Sequence, residues 1–353
     1  GVAGVCAVGA AWQAKFHRLA ALTMLSVVGL VLCITFAWFS APDLALTQLA
    51  VEVVTTVLFL LGLRWMPRRV EQDDPRTASR AWWRRRRDLV IAVAAGVGLA
   101  ALSYALLTRH APLSISPFFL DKALPEGGGT NVVNVMLVDF RAFDTLGEIT
   151  VLGVVGIAVY ALLRRFRPPQ EVIDRPAQQQ AVPDDSGSDL LAEGDAPPRY
   201  LEVPAVLVRL LLPVAGVFAF HLFMRGHNEP GGGFVAGLVV AIAFIAQYVV
   251  GGTRWVEARM RLLPPRWIAA GLALALATGL GSLALGHPFL TTHTAHLQWP
   301  LVGEVHVPSA VLFDLGVFAV VVGSTLLLLT AIAHQSLRAR RRQVTAPDDG
   351  EPH

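Results

Sequence analysis

Eight separate apolar stretches of bilayer-spanning length dominate this 353-residue sequence, near 19–39, 43–63, 89–107, 143–163, 204–224, 232–251, 267–285 and 309–333. A run of about 20 such residues makes a helix roughly 30 Å long, the thickness of a bilayer's hydrocarbon core. Backbone polar groups in that core find no water, so an apolar run of this length satisfies them as a helix. Composition agrees: 16% of residues are charged, against about 25% in soluble domains. A single run of this kind could be a buried helix of a soluble core. Eight of them, separated by loops of alternating charge, cannot. The expected fold class is all-α, a polytopic integral membrane protein of eight to nine transmembrane helices.

Loop charge sets a direction. Of the 29 Lys and Arg, 24 fall in the segments after residues 11, 63, 163, 251 and 333, all on one side of the alternation. The other side holds only Arg109, Lys122, Arg141 and Arg225, and Arg209 lies within a run. By the positive-inside rule the rich side is cytoplasmic, and the C-terminus with it. The WWRRRR run of 82–87 belongs at the inner headgroup surface rather than on nucleic acid. Segment 1–11 is apolar from its first residue, with no starting Met and no basic n-region. It reads as part of a span and not as a cleavable signal. Cys6 and Cys33 sit in apolar runs with no ligand spacing around them, so neither a disulfide framework nor a zinc site is expected.

Residues 168–199 are rich in Pro, Gln, Asp and Ser, with almost no apolar periodicity, as in a disordered linker. This linker separates two membrane cassettes, 1–167 and 200–335, and a tail follows over 336–353.

Ionisable groups in or beside apolar spans are costly and tend to mark ion routes. Glu52 is the leading candidate. It falls nine residues after Asp43, about 13 Å down a helix and close to the midplane. Gln48, Glu52, Thr55 and Thr56 share one helical stripe. The alternative for Glu52 is a hydrogen bond across a helix interface that serves only as glue. In the stretch 131–163, Asp139, Arg141, Asp144 and Glu148 crowd the start of a span, and Asp144 and Glu148 stand one helical turn apart. They form either an outer mouth for ions or a solvated cluster that anchors the helix end. Asp314 lies about 8 Å into the last span, whereas Arg209 is placed to snorkel to the inner surface.

The connection FHLFMRGHNEPGGGFVAG carries a third pattern. Pro230 stops one helix, and Gly231, Gly232 and Gly233 allow a tight turn into the next. Gly233 and Gly237 form a small-xxx-small face for close helix approach. His227 and Glu229 stand at the outer mouth, beside free N–H groups at the helix start, and belong either to an aqueous entry path or to a packed structural turn. His287, His293, His296 and His306 match no closed ligand set. No phosphate-binding loop, nucleophile elbow, zinc-protease motif or iron–sulfur cysteine set occurs, so no catalytic residue, metal or cofactor is assigned.

Two stretches point to a family. Residues 41–54, APDLALTQLAVEVV, and 131–153, NVVNVMLVDFRAFDTLGEITVLG, resemble the C-terminal part of the large A subunit of Mrp-type multisubunit cation/proton antiporters. Residues 225–241, RGHNEPGGGFVAGLVVA, are similar to the signature of the B subunit. The chain thus looks like an A-subunit tail fused to a whole four-span B subunit, without the large antiporter-like domain of the family's A subunit. The resemblance implies a secondary transporter subunit in the cell membrane, not an enzyme. It implies partner subunits of the same complex, Na⁺ exported against entering H⁺, and lipid around the helices. The family's acidic positions fall on Asp43, Glu52, Asp139, Asp144 and Glu148, and its glycine-rich turn on 227–233. The rival expectations are the membrane arm of a hydrogenase-type redox complex and a scaffold that passes no ions.

Overall fold

The computed structural model describes residues 1–14, 17–63, 75–109, 113–165, 202–260, 263–299 and 303–345. The linker at 168–199 and the end of the tail, 346–353, lie outside these. The helices are α1 (Val2–Gln13), α2 (Arg18–Trp38), α3 (Pro42–Leu63), α4 (Pro75–Thr108), α5 (Ser116–Lys122), α6 (Val132–Val135), α7 (Ala142–Arg165), α8 (Glu202–Arg225), α9 (Gly233–Gly251), α10 (Thr253–Arg259), α11 (Pro264–Ala284) and α12 (Ala310–Thr345). A π-helical turn, Met136–Phe140, joins α6 to α7. Among the described residues eight helices are long and apolar enough to cross a membrane, and they fall on the eight runs of the sequence. The architecture is the all-α polytopic one expected.

Three details go beyond the eight apolar runs. The third span opens earlier, because the WWRRRR run is already helical within α4. The last helix continues to Thr345, well past its apolar part. A two-stranded antiparallel hairpin, β1 (Thr294–Trp299) with β2 (Gly303–Pro308), fills the loop before α12, with Thr294 opposite Pro308 and His296 opposite His306.

The chain divides into two compact units, Pro67–Phe118 and the remainder. The smaller one is built on α4, whose apolar span is exposed along its described length. In the larger one α12 is the central helix, with 72% of its span buried, and α9 follows with 56%. Helices α7, α9 and α11 pack on α12, α3 and α8 pack on α9, and α2 and α1 follow outward from α3. Helices from both sides of the linker therefore share one core, in which Ala50, Val54 and Ile149 meet Phe313, Val317 and Val321. Small residues permit the approach. A Cβ on Gly237 would lie 3.1 Å from the Phe318 carbonyl, and one on Gly233 would strike the backbone of Asp314. The small-xxx-small face of α9 is thus turned onto α12.

Candidate functional site

Sequence order puts the loops after α2, α5, α8 and α11 at one end of the bundle, and there the polar groups converge. Asn131 caps α6: its Oδ1 accepts the Asn134 N–H at 3.3 Å. Its amide nitrogen donates to both carboxylate oxygens of Asp43 at 3.2 Å, and to the carbonyls of Gly226 and Glu229 at 3.1 and 3.0 Å. One side chain thereby ties the start of α3 to the turn between α8 and α9. The His227 carbonyl completes the tie by accepting the Asn131 N–H at 3.0 Å.

The glycine turn organises what lies beneath. The Gly231 N–H donates to Asp43 Oδ1 at 3.0 Å. The Gly233 N–H, at the start of α9, donates to Asp314 Oδ2 at 2.7 Å. Between them Gly232 has φ 100° and ψ 175°, a conformation that essentially only glycine adopts. A Cβ there would lie 2.7 Å from Asn134 Nδ2 and 3.5 Å from Asp314 Oδ2. Three successive glycines thus meet one polar side chain each, from α3, α6 and α12.

These groups line a cavity of about 170 Å³, together with Thr47, Thr145 and Glu148. Asp314 is 9% exposed and Asn134 7%, whereas Glu148 stands at the accessible margin. Asp43, Glu148 and Asp314, drawn from both sides of the linker, are therefore among the residues that line one space.

The other candidates are placed elsewhere. Glu52 is half-buried between α2 and α3. Thr56 donates to its Oε1 at 3.2 Å and is itself bonded to Ser26 at 2.7 Å. Its carboxylate lies against Gly29, where an added Cβ would collide with it. The polar stripe of α3 thus faces α2 and does not line the cavity. Asp144 is exposed and paired with Arg141, so only Glu148 of that helical pair reaches the cavity. Glu229 is exposed and paired with Arg225 at 3.1 Å, and Pro230 leads into the glycines. Arg209 of α8 stacks on Trp255 of α10 at 4.4 Å, as does Arg259 of α10 itself at 4.6 Å.

Asp139 and His227 sit beside the cavity in the connecting segments. Asp139 Oδ1 accepts the Thr292 N–H at 2.9 Å. Burial pushes this carboxyl above the usual range, against the opposing pull of that hydrogen bond. His227 Nε2 lies 3.0 Å from the Gly127 carbonyl. Burial holds the imidazole below its ordinary value, with the Gly127 bond and nearby Asp139 acting the other way.

Asn131, Asn134, Thr47 and Thr145 were not singled out in the sequence. A search for charge in oil passes over neutral side chains. Asn131 directly ahead of an apolar run is, however, an N-cap signal for a helix start. Among the described residues no group of three or more His, Cys, Asp or Glu is arranged to hold a metal ion.

A mostly helical bundle with eight helices long and apolar enough to cross a membrane, and with acidic residues gathered at a glycine-rich interhelical turn, defines the class as a polytopic membrane protein. Comparison with known proteins makes it specific. Residues 203–327 match the family described as a domain related to the MnhB subunit of Na⁺/H⁺ antiporter. Residues 2–68 match the MbhD family and residues 83–180 the MbhE family, the D and E subunits of MBH. The chain is 54% identical over 347 residues to the A/B subunit of a probable K⁺/H⁺ antiporter of Rhizobium meliloti, covering 97% of this chain and 34% of that protein. It is 36% identical to the Na⁺/H⁺ antiporter B subunit of Alkalihalophilus pseudofirmus, over 37% of this chain and 91% of the relative. The Na⁺/H⁺ antiporter A subunit of Bacillus subtilis is 40% identical over 42% of this chain and 18% of its own length. In three dimensions the chain superposes on a chain of the Mrp complex from Dietzia sp. with a TM-score of 0.76 and 30% identity, over 100% of this chain and 35% of that one. The chain belongs to the Mrp-type multisubunit antiporter family, as the C-terminal part of an A subunit joined to a B subunit. It spans about a third of the A/B relative's length.

Proposed function

We propose that this chain is a membrane component of a multisubunit antiporter that moves Na⁺ or K⁺ out of the cell against entering H⁺. The observation that carries this is the cavity lined by Asp43, Glu148 and Asp314, two of which are bonded to the glycine turn. Carboxylates at membrane depth are costly to bury and are kept where charge passes. In this reading the three belong to the ion or proton path, with Asp144 and Arg141 at its outer mouth and Asp139 beside it. Glu52 forms a separate relay between α2 and α3. The relatives' printed names, K⁺/H⁺ and Na⁺/H⁺ antiporter subunits, support the cargo and the presence of partner subunits.

In this reading the linker and C-terminus are cytoplasmic and the cavity lies in the outer half of the membrane, which the arginine-rich loops support. The domains follow as an A-type cassette over 1–167, a cytoplasmic linker over 168–199, a B-type cassette over 200–335 and a tail over 336–353. The test uses everted vesicles containing the assembled complex. Asp314→Asn and Glu52→Gln are each expected to abolish the proton movement driven by added Na⁺ or K⁺ while the subunits still co-purify. Exchange at the wild-type rate in Asp314→Asn removes the cavity from the route.

The match of 2–68 and 83–180 to MBH families favours a second reading, the membrane arm of a hydrogenase-type redox complex. Co-purification of nickel–iron or iron–sulfur proteins decides for it.

A further inference from the structure

We propose that Arg209 and Arg259, gathered on the indole of Trp255, bind the phosphate of an anionic glycerophospholipid whose acyl chain lies along the exposed face of α8. The site stands apart from the glycine turn, because α9 leads from that turn at one end of the bundle to Trp255 at the other.

Local structure builds the site. Helix α9 ends at Gly251, and Gly252, with φ 76°, turns the chain into α10. A Cβ on Gly251 would lie 2.9 Å from the Trp255 ring. The two glycines thus let the indole fold back on the helix end, where it is 7% exposed. Helix α8 packs beside α9, and the buried Gln247 pins it by donating to the Val208 carbonyl at 2.6 Å. The next residue, Arg209, holds its guanidinium 4.4 Å from the ring centre, and Arg259 brings a second to 4.6 Å.

Arg209 lies three residues inside the span that starts at Val206, roughly 5 Å along the helix. A cation at such a depth is costly without a counter-charge. Arg209 is exposed, and among the described residues it has neither a carboxylate partner nor a hydrogen-bond acceptor; its contact is the indole. Stacking engages the flat face of a guanidinium and leaves the N–H groups of its edge to donate outward. Phosphate oxygens are acceptors that such a fork fits. The acid of α10, Glu257, is bonded instead to His334 at 2.7 Å.

The surroundings select a lipid over a soluble phosphate. Leu207 and Leu210, on either side of Arg209, are 61% and 63% exposed. Pro213, one turn further along α8, opens a groove with Val217 and Phe218 that runs to His221. A headgroup at Arg209 therefore meets apolar surface leading away into the span, which suits an acyl chain and offers nothing to a free anion. The site lies on the arginine-rich side of the bundle, which the topology proposed above makes the cytoplasmic leaflet, where anionic headgroups attract basic side chains.

The test uses the intact complex in nanodiscs of phosphatidylcholine. A trace of phosphatidylglycerol carrying a diazirine on its acyl chain is added, or in parallel the matching phosphatidylcholine probe. Labelling of residues 206–221 is read by mass spectrometry after illumination, relative to labelling beside the arginine run at 84–87. The phosphatidylglycerol probe is expected to label α8 several-fold more than the phosphatidylcholine probe, a comparison that needs no variant. Arg209→Gln is expected to lower its labelling about fivefold, the weight of one arginine beside an anionic headgroup, and to leave the phosphatidylcholine probe unaffected. Equal labelling by the two probes, or unchanged phosphatidylglycerol labelling in Arg209→Gln, overturns the proposal. An excess of inorganic phosphate is expected to change nothing; suppression by it assigns the site to a soluble anion and overturns the lipid as its occupant.

Discussion

Gly232→Ala separates backbone strain from the geometry of the cavity. With φ 100° and ψ 175°, the position costs any L-residue about 1–3 kcal/mol. The new methyl would also lie 2.7 Å from Asn134 Nδ2, where ordinary contact begins at 3.4 Å, so the amide must retreat by about 0.7 Å. Asn134 is nearly enclosed, and overpacking of this kind adds about 1–3 kcal/mol. The combined cost is roughly 2–6 kcal/mol. Gly252 is the control. It has φ 76° and ψ 158°, and a Cβ there would have nothing within 4 Å. Gly252→Ala therefore carries the backbone cost alone, about 1–3 kcal/mol. Each variant is assayed for heat-induced loss of the assembled complex and for cation-driven proton movement in vesicles. Both are expected to be less heat-resistant than the wild type, Gly232→Ala the more so, and only Gly232→Ala is expected to lose exchange. Equal heat resistance in the two variants, or wild-type exchange in Gly232→Ala, refutes the reasoning.

Two further substitutions probe the junction above the cavity. Asn131→Ala removes donors to Asp43, Gly226 and Glu229 and the cap on α6, a loss of about 2–3 kcal/mol; a clear fall in the temperature at which the complex dissociates is expected, and an unchanged temperature contradicts the bonding described. His227 has a folded-state value below its ordinary 6.5, so the unfolded chain takes up the proton first. Its contribution is constant above pH 6.5 and is lost as pH falls through 6.5 toward the folded value. His227→Gln is expected to flatten the acid side of a stability–pH profile and leave the slope above pH 7 untouched.

How much could be read in advance differs by element. The eight spans were legible because the apolar run length follows directly from bilayer thickness. The hairpin of β1 and β2 was passed over although its strands alternate polar and apolar residues over 294–299 and 304–307, the period of a half-buried strand; a reading led by span length looks for longer apolar runs. Asp43, Glu148 and Asp314 stood out individually as charge beside oil, but their meeting did not. Glu52 drew the most attention for its depth, yet its stripe faces α2 and Gly29. Depth along a helix can be counted from residue number, whereas the helix that covers a given face cannot.

Span length, loop charge and the glycine-rich turn are local properties of the chain, so the sequence alone determined a multi-helix membrane protein with one basic side and a tight α8–α9 connection. The tertiary structure decided which acids share a space. Asp43 and Asp314 are 271 residues apart, and they are brought to one turn because α9 packs between α3 and α12 with glycine on its contact face. Packing of that kind depends on complementary surfaces at long sequence separation, and no local pattern encodes it.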